Sequence, residues 1–197
     1  PQGIFICVTR VSGSGKSTML NSVGALDVPT KGKIFLDNNN IGTLSESALA
    51  QLRGQKIGFV FQAFNLINSL TVLQNVMLPM MFQNKDQQFQ KTRATELLTQ
   101  VGLGHRLKNL PTQISGGEKQ RVAIARALAN DPEVILADEP TGNLDSKTGK
   151  EIIELLKNLQ KTKNKTLIIV THDSSIAKQA DRIAHLKDGQ IIQITGG

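Results

Sequence analysis

The chain contains no tryptophan, no tyrosine and a single cysteine among its 197 residues. Cys7 therefore has no partner for an intramolecular disulfide, and we expect it to be a small buried core residue in a reducing compartment. No apolar run approaches the roughly 18 residues that a membrane-spanning helix needs, and the stretch Ile4 to Val8 is too short for a secretory signal. These absences exclude a disulfide scaffold and a helical membrane-spanning domain. The length of 197 residues suits one ordinary α/β domain, and the 39% apolar content is normal for a globular protein.

The net charge of +7 is spread along the chain, and lysines are densest between residues 147 and 165. A nucleic-acid surface usually interleaves such lysines with arginines or aromatic side chains, and this cluster has neither. We therefore expect no nucleic-acid partner and interpret the cluster as the solvated face of a helix and of the loop after it. A weak attraction to an anionic membrane surface is the alternative.

Short β-prone apolar runs alternate with helical segments over most of the chain. Between Ala63 and about Pro111 the strand pattern stops, and residues 92–101 show helical periodicity instead. This order predicts a mostly parallel sheet flanked by helices and interrupted by a helical insertion. The predicted strands are 4–8, 33–37, 57–61, 134–137 and 167–170, with a loop at 38–40 and an Asp-Gly hairpin over 185–192. The predicted helices begin near Lys16 and cover 118–129, 146–159 and 174–180.

A phosphate-binding loop follows the first predicted strand and opens the first predicted helix. Glycines there let successive backbone N–H groups point inward as an anion nest, and the helix N-terminus adds about half a positive charge. In such a loop Lys16 reaches the β- and γ-phosphates of a nucleotide, and Ser17 offers its hydroxyl to Mg²⁺. The residues predicted to bind the cofactor here are Ser12, Gly13, Ser14, Gly15, Lys16, Ser17 and Thr18.

The loop departs from the full pattern G-x-x-x-x-G-K-[ST], because Arg10 occupies the position of its first glycine. If the backbone there needs a positive φ, a Cβ costs on the order of 1–2 kcal/mol, and the long side chain crowds the phosphates. Pairing of the guanidinium with a phosphate is the alternative. We expect turnover that is reduced but not abolished, which the rate of an Arg10→Gly variant would test.

Two acids end the buried apolar run Val134 to Ala137. At such a strand end Asp138 would hold the metal directly or through water, and Glu139 would orient or deprotonate an attacking water. The alternative is an acidic strand end followed by a proline turn. The phosphate loop upstream favours the catalytic interpretation.

A second pair of glycines precedes a helix at Ser115, Gly116 and Gly117, which predicts a second anion nest. One chain needs only one such nest for one nucleotide, so an ordinary capping serine is the alternative interpretation. The position just before the strand that ends in Asp138 and Glu139 favours a functional role.

Six motifs follow one another along the chain: the incomplete Walker A loop, Gln62 after a strand, ISGGE at 114–118, ILADEP at 135–140, GNLD at 142–145 and His172 after an apolar run. In this order they resemble the motifs of the nucleotide-binding domain of ATP-binding cassette (ABC) transporters, and the resemblance covers essentially the whole chain. The phrases at 26–30, 57–62 and 64–66 are similar to the MacB/LolD-like branch, which includes lipoprotein-release and macrolide or peptide efflux ATPases.

The resemblance implies a P-loop NTPase fold with a RecA-like core at 1–62 and 116–197. It implies an inserted helical signature subdomain at 63–115, and the family's N-terminal strands are missing from the sequence. A head-to-tail homodimer would enclose two ATP molecules with Mg²⁺, and the phosphate loop of one copy would face Ser115, Gly116 and Gly117 of the other. In that arrangement the catalytic residues are Glu139, His172 and Gln62, the metal residues are Ser17, Gln62 and Asp138, and Asp145 lies at the dimer seam.

The resemblance also implies a membrane permease as partner, bound at the cytoplasmic face of the membrane, and export or extrusion as the transport direction. The family's usual adenine-stacking aromatic upstream of the first strand is missing here, so we expect weaker ATP binding, by on the order of 0.5–1.5 kcal/mol. A nucleotide-binding regulator with little turnover and a non-transport ABC ATPase are the alternatives. The intact Glu139 and His172 argue against the regulator, and Arg10 argues for it.

Overall fold

The computed structural model describes residues 3–10, 16–36 and 38–196, and it describes side chains for all of these except residues 10 and 16–18. Strands and helices alternate along this part of the chain. The strands are β1 (Phe5–Arg10), β2 (Phe35–Leu36), β3 (Asn39–Asn40), β4 (Ile57–Phe61), β5 (Val134–Asp138), β6 (Thr166–Val170), β7 (Arg182–Lys187) and β8 (Gln190–Thr195). The helices are α1 (Lys16–Val23), α2 (Glu46–Lys56), α3 (Val72–Met81), α4 (Gln87–Gln100), α5 (Gly116–Ala127), α6 (Ser146–Thr162) and α7 (Ser174–Ala177).

The main sheet has the strand order β4-β5-β6-β1-β7-β8. Its first five strands are parallel, and β8 runs antiparallel to β7. Asp188 and Gly189 join these two strands with φ values of 50° and 77°, as a tight hairpin turn requires. The structure thus confirms the mostly parallel sheet and the Asp-Gly hairpin predicted from the sequence.

The central strands are buried on both faces, as their continuous apolar runs predict. In β5, Ile135 and Ala137 pack into the core cluster on one face of the sheet, while Leu136 packs into the cluster on the other. Cys7 in β1 is fully buried, which confirms its predicted place in the core. Burial raises the pKa of its thiol to about 12, and the charges of Glu139 and Asp173 add to this effect.

The helices α3 and α4 fill the stretch between β4 and α5 where the sequence predicts a helical insertion. Their buried side chains, among them Val76 and Leu98, belong to the same core cluster as Val60 and Ile135 of the sheet. The insertion therefore shares one hydrophobic core with the strands. Among the described residues, no helix combines the length and the apolar character that crossing a bilayer requires.

Several predicted boundaries are wrong. The strand expected over 33–37 consists of Phe35 and Leu36, and it pairs with β3 where a loop was predicted, because Asn38 adopts a φ of 63° that reverses the chain. The sequence pattern does not reveal α2, since this helix buries only Leu49. Helix α5 begins two residues early at Gly116, after a serine cap, and ends at Ala127 instead of residue 129.

The last helix is also shorter than predicted. It ends at Ala177 and not at residue 180. The backbone N–H of Asp181 donates to the carbonyl of Phe5 at 2.9 Å, and its carboxylate accepts the N–H of Phe5 at 2.7 Å. These two hydrogen bonds direct the chain into β7 beside β1.

Candidate active site

The candidate site lies at the edge of the sheet where β4, β5, β6 and β1 end, which we call the carboxyl edge. The last residues of three adjacent strands are in register there, with Phe61 paired to Asp138 and Asp138 paired to Val170. Ligands of parallel α/β sheets bind at this kind of edge. The residue that follows each strand is therefore a candidate for the site.

Glu139 follows β5, and its carboxylate is fixed by two side chains that follow β6. The hydroxyl of Thr171 lies 3.0 Å from Oε2, and Nδ1 of His172 lies 2.9 Å from Oε1. Because an ionised carboxylate only accepts hydrogen bonds, the Nδ1 atom must carry a hydrogen in this contact. Glu139 is 5% exposed, so its side chain is buried at the carboxyl edge.

The backbone of Glu139 adopts a conformation that is uncommon for a residue with a side chain. Its φ is 44°, in the left-handed region, where residues of this kind concentrate at functional sites. Its N–H donates to the carbonyl of Val170 at 2.9 Å, and its carbonyl accepts the N–H of Gly142 at 3.0 Å. These bonds maintain the conformation that directs the side chain toward Thr171 and His172.

Asp138, the predicted metal residue, is the half-buried last residue of β5. The described residues contain no group of three or more acidic, histidine or cysteine side chains that could hold a metal ion by themselves. Mg²⁺ in nucleotide sites takes one or two protein carboxylates and completes its coordination with phosphate oxygens and water. The donor set at Asp138 therefore fits a magnesium ion that arrives with a nucleotide.

Gln62 follows β4, and its side chain packs over the turn at Gly142 and Asn143. Its Nε2 donates to Oδ1 of Asn143 at 3.3 Å, and Nδ2 of Asn143 donates back to the carbonyl of Gln62 at 2.9 Å. A Cβ at Gly142 would lie 2.5 Å from Gln62 Nε2. The GNLD segment therefore contacts the glutamine directly, which the sequence analysis did not predict.

Part of the predicted phosphate loop, Ser12, Gly13, Ser14 and Gly15, lies outside the described residues. Lys16, Ser17 and Thr18 form the first turn of α1, which confirms that a helix opens near Lys16. This helix follows β1, the strand that pairs with β6. The helix start is thus connected to the carboxyl edge that carries Glu139.

Ser115, Gly116 and Gly117 form the start of α5. The hydroxyl of Ser115 accepts the N–H of Glu118 at 3.2 Å, and a Glu118 carboxylate oxygen accepts the N–H of Ser115 at 2.8 Å. This capping box confirms the alternative interpretation of Ser115 as a helix cap, which does not conflict with an anion nest. A Cβ at Gly117 would lie 2.5 Å from Thr148 Cγ2, so the glycine permits α5 to approach α6.

Asp145 is the N-cap of α6. Its Oδ1 accepts the backbone N–H groups of Lys147 at 3.1 Å and Thr148 at 3.0 Å. Hydrogen bonding from Thr148, its side chain first, holds the pKa of Asp145 below the usual value. The carboxylate stays ionised at neutral pH, and its predicted place at a dimer seam stays a prediction.

Helix α5 also contacts two loops of the carboxyl edge through side chains that sequence reasoning missed. Gln120 donates to the carbonyl of Pro140 at 2.7 Å. Arg126 donates from Nη2 to the carbonyl of Phe64 at 2.8 Å and from Nη1 to that of Asn65. Phe64 and Asn65 both have positive φ, and this conformation directs their two carbonyls toward the guanidinium of Arg126.

A mostly parallel sheet with a helix opening at Lys16, an Asp138-Glu139 pair at its carboxyl edge and a helical insertion defines an α/β P-loop nucleoside triphosphatase. The profile of the family described as ABC transporter matches residues 3–142. The chain belongs to this family, in the MacB/LolD branch, and is an ATP-binding and ATP-hydrolysing transporter subunit.

Three relatives support this assignment. The first is a solved dimeric structure described as a post-hydrolysis state of the ATP-binding cassette MJ0796 bound to ADP and Pi, a protein of Methanocaldococcus jannaschii. It is 47% identical, covers 100% of this chain and 86% of that one, and superposes with a TM-score of 0.89. The lipoprotein-releasing system ATP-binding protein LolD 1 of Rhodopseudomonas palustris is 46% identical over 96% of this chain and 84% of its own length. The macrolide export ATP-binding/permease protein MacB of Shewanella is 48% identical over 97% of this chain, which spans 29% of that longer protein.

Proposed function

We propose that two copies of this chain enclose two ATP molecules and hydrolyse them to drive a membrane permease. The observation that carries this proposal is the buried carboxylate of Glu139 at the carboxyl edge. It lies beside Asp138 and is hydrogen-bonded to His172. A buried, hydrogen-bonded carboxylate at the end of such a strand supports the assignment of a general base.

In the proposed reaction Glu139 accepts a proton from the attacking water. The water oxygen bonds to the γ-phosphorus, and the bond from that phosphorus to the bridging oxygen breaks, so that ADP leaves. Gln62 orients the water, and Lys16 and His172 stabilise the negative charge of the γ-phosphate. Preorganised donors around developing charge are usually the largest contribution to such a rate.

We further propose that Mg²⁺ accompanies ATP and that Ser17, Asp138 and Gln62 hold it. When bound, the ion would neutralise negative charge on the phosphates of ATP. The donor set supports this assignment, since a hydroxyl, a carboxylate and an amide are all oxygen ligands that Mg²⁺ accepts.

The dimer is supported by the presence of two glycine-bearing helix starts in one chain. The start of α1 belongs to the predicted phosphate loop, whereas the start of α5 exposes Ser115. In a head-to-tail pair, Ser115, Gly116 and Gly117 of one copy would bind the γ-phosphate on the phosphate loop of the other. The relative MJ0796 has been solved as a dimer, which agrees with this arrangement.

We propose that this chain binds a membrane permease at the cytoplasmic face of the membrane, and that the process is export or extrusion of a drug, peptide or lipoprotein. The support is the MacB and LolD names of two relatives. Co-purification from membranes, with identification of the bound proteins, tests this partner. Recovery of the chain without any integral membrane protein would count against it.

The Glu139→Gln variant tests the catalytic and dimer proposals together. With MgATP we expect ATPase activity to be lost while ATP stays bound, so that size-exclusion chromatography shows a dimer. A Lys16→Ala control in the same background should remain monomeric because it removes the phosphate contact. Full turnover in Glu139→Gln would refute the base assignment, and a monomer at saturating ATP would refute the enclosed dimer.

A further inference from the structure

We infer that Thr171 is a positioning residue for ATP hydrolysis, because its buried hydroxyl fixes the carboxylate of Glu139. This inference rests on the proposed role of Glu139 as the base. Thr171 follows β6 directly and is 1% exposed. It touches the carboxylate and acts on the reaction only through it.

The direction of the hydrogen bond follows from the two contacts of the hydroxyl. The backbone N–H of Asp173 lies 3.1 Å from Thr171 Oγ1, and an N–H can only donate. One lone pair of Oγ1 is therefore occupied by Asp173. The hydroxyl hydrogen is left for Oε2 of Glu139 at 3.0 Å, which is an acceptor when ionised.

The threonine itself is held in place by the sheet. Its N–H donates to the carbonyl of Val8 at 3.1 Å, which extends the pairing of β6 with β1 by one residue. Its side chain is β-branched and buried, and such side chains are stiff at χ1. Thr171 can therefore hold one oxygen of Glu139 in a constant position.

His172, the other side chain bonded to Glu139, is exposed, whereas Thr171 is buried. The His172 side chain is 75% exposed, whereas that of Glu139 is 6% exposed. An exposed imidazole can turn toward a γ-phosphate, and this movement would remove its hydrogen bond from Oε1, the oxygen that would then accept a proton from water. The Thr171 hydroxyl would keep Oε2 fixed during that change, so the two donors have different tasks.

Thr171→Val tests the inference, since valine keeps the shape and removes the hydroxyl. We expect kcat to fall about tenfold, as the loss of one charge-assisted hydrogen bond implies, while KM for ATP stays within about twofold. Thr171→Ser keeps the hydroxyl and should restore kcat to within about twofold of the unmodified protein. In the Glu139→Gln background, Thr171→Val should still form the ATP-dependent dimer.

Several outcomes would overturn the inference. An unchanged kcat in Thr171→Val would do so, as would a loss of dimerisation or a parallel rise in KM, which would assign the residue a structural role. If valine prevents folding by far-UV circular dichroism, Thr171→Ala repeats the measurement, and failure of both to fold also assigns a structural role. A Glu139→Gln variant with normal turnover would instead refute the proposed base, which separates the two failures.

Discussion

Replacing Gly58 by alanine is expected to destabilise the protein strongly, because the end of α5 approaches β4 at this glycine. A Cβ built on Gly58 would lie 2.3 Å from the carbonyl oxygen of Ala127 and 3.0 Å from its carbonyl carbon. It would also lie 3.1 Å from Pro132 Cγ. The nearest atoms belong to the backbone, so no change of rotamer relieves the contact.

The magnitude follows from the size of this overlap. A carbon–oxygen contact usually lies at about 3.3–3.6 Å, so α5 and β4 must separate by roughly 1 Å. Overpacking of a close-packed core typically costs about 1–3 kcal/mol, and the rigid backbone on both sides places Gly58→Ala near the upper end. With a urea m-value of about 3 kcal/mol per molar, the unfolding midpoint should fall by about 1 M.

Urea unfolding followed by far-UV circular dichroism is the appropriate assay, since the chain has no tryptophan or tyrosine for intrinsic fluorescence. Gly54→Ala is the matched control. A Cβ there would lie 2.6 Å from Gln83 Nε2, the far end of a flexible, half-buried side chain. That side chain donates to the carbonyl of Gln51 at 3.4 Å and accepts from Gln55 Nε2 at 3.1 Å. Alanine in helix α2 should add roughly 0.5–1 kcal/mol of helix propensity, so we expect no loss of stability.

Equal midpoints for Gly58→Ala and the unmodified protein would refute the reasoning, because they would show that α5 and β4 separate at no cost. Equal losses in both variants would also refute it. The contrast between backbone and side-chain neighbours would then have no consequence. Unchanged m-values in both variants are needed for these comparisons.

Three further predictions concern charge and hydrogen bonding. A hydrogen bond from the backbone N–H of Ser115 is the main cause that lowers the pKa of Glu118 in the folded protein. The ionised Glu118 therefore stabilises the fold fully above its unfolded pKa, and this contribution is lost as the pH falls through its folded pKa. Glu118→Gln should therefore reduce the acid sensitivity of the urea midpoint below about pH 4.5. The Cys7 thiol, with its pKa raised to about 12 by burial and secondarily by the charge of Glu139, should not react with Ellman's reagent at pH 8 until urea unfolds the chain. The stability gained from keeping this thiol neutral is complete below about pH 9 and should decline as the pH rises toward 12, a decline that Cys7→Ala would lessen. Arg126→Lys removes one of two carbonyl contacts and should lower the stability by about 1–2 kcal/mol in the same urea assay.

The central strands could be predicted from the sequence because they are buried on both faces and read as continuous apolar runs. Helix α2 could not, since only Leu49 of its 11 residues is buried and no apolar face marks it. The pair β2 and β3 has two residues in each strand, and its formation depends on the φ of Asn38. These elements are determined by local backbone geometry that composition does not record.

For the candidate site, the motifs predicted a set of residues but not how these residues contact each other. The pairing of Glu139 with His172 agrees with their assignment to one catalytic site, but the contacts of Thr171 and Asn143 were not predicted. Thr171 meets Glu139 across 32 residues, and Asn143 meets Gln62 across 81. Such contacts follow from the register of β4, β5 and β6, and a single sequence does not specify that register.

The same register explains why α5 links the two halves of the proposed composite site. Ser115, the N-cap before the first residue of this helix, would bind the nucleotide of the other copy. The later turns of the helix hold this chain's own carboxyl edge, because Gln120 binds the residue after Glu139 and Arg126 binds the loop after Gln62. A rigid helix that contacts both loops cannot shift without straining them. One helix therefore fixes the groups proposed to bind the partner's nucleotide relative to the groups around this chain's proposed catalytic residues.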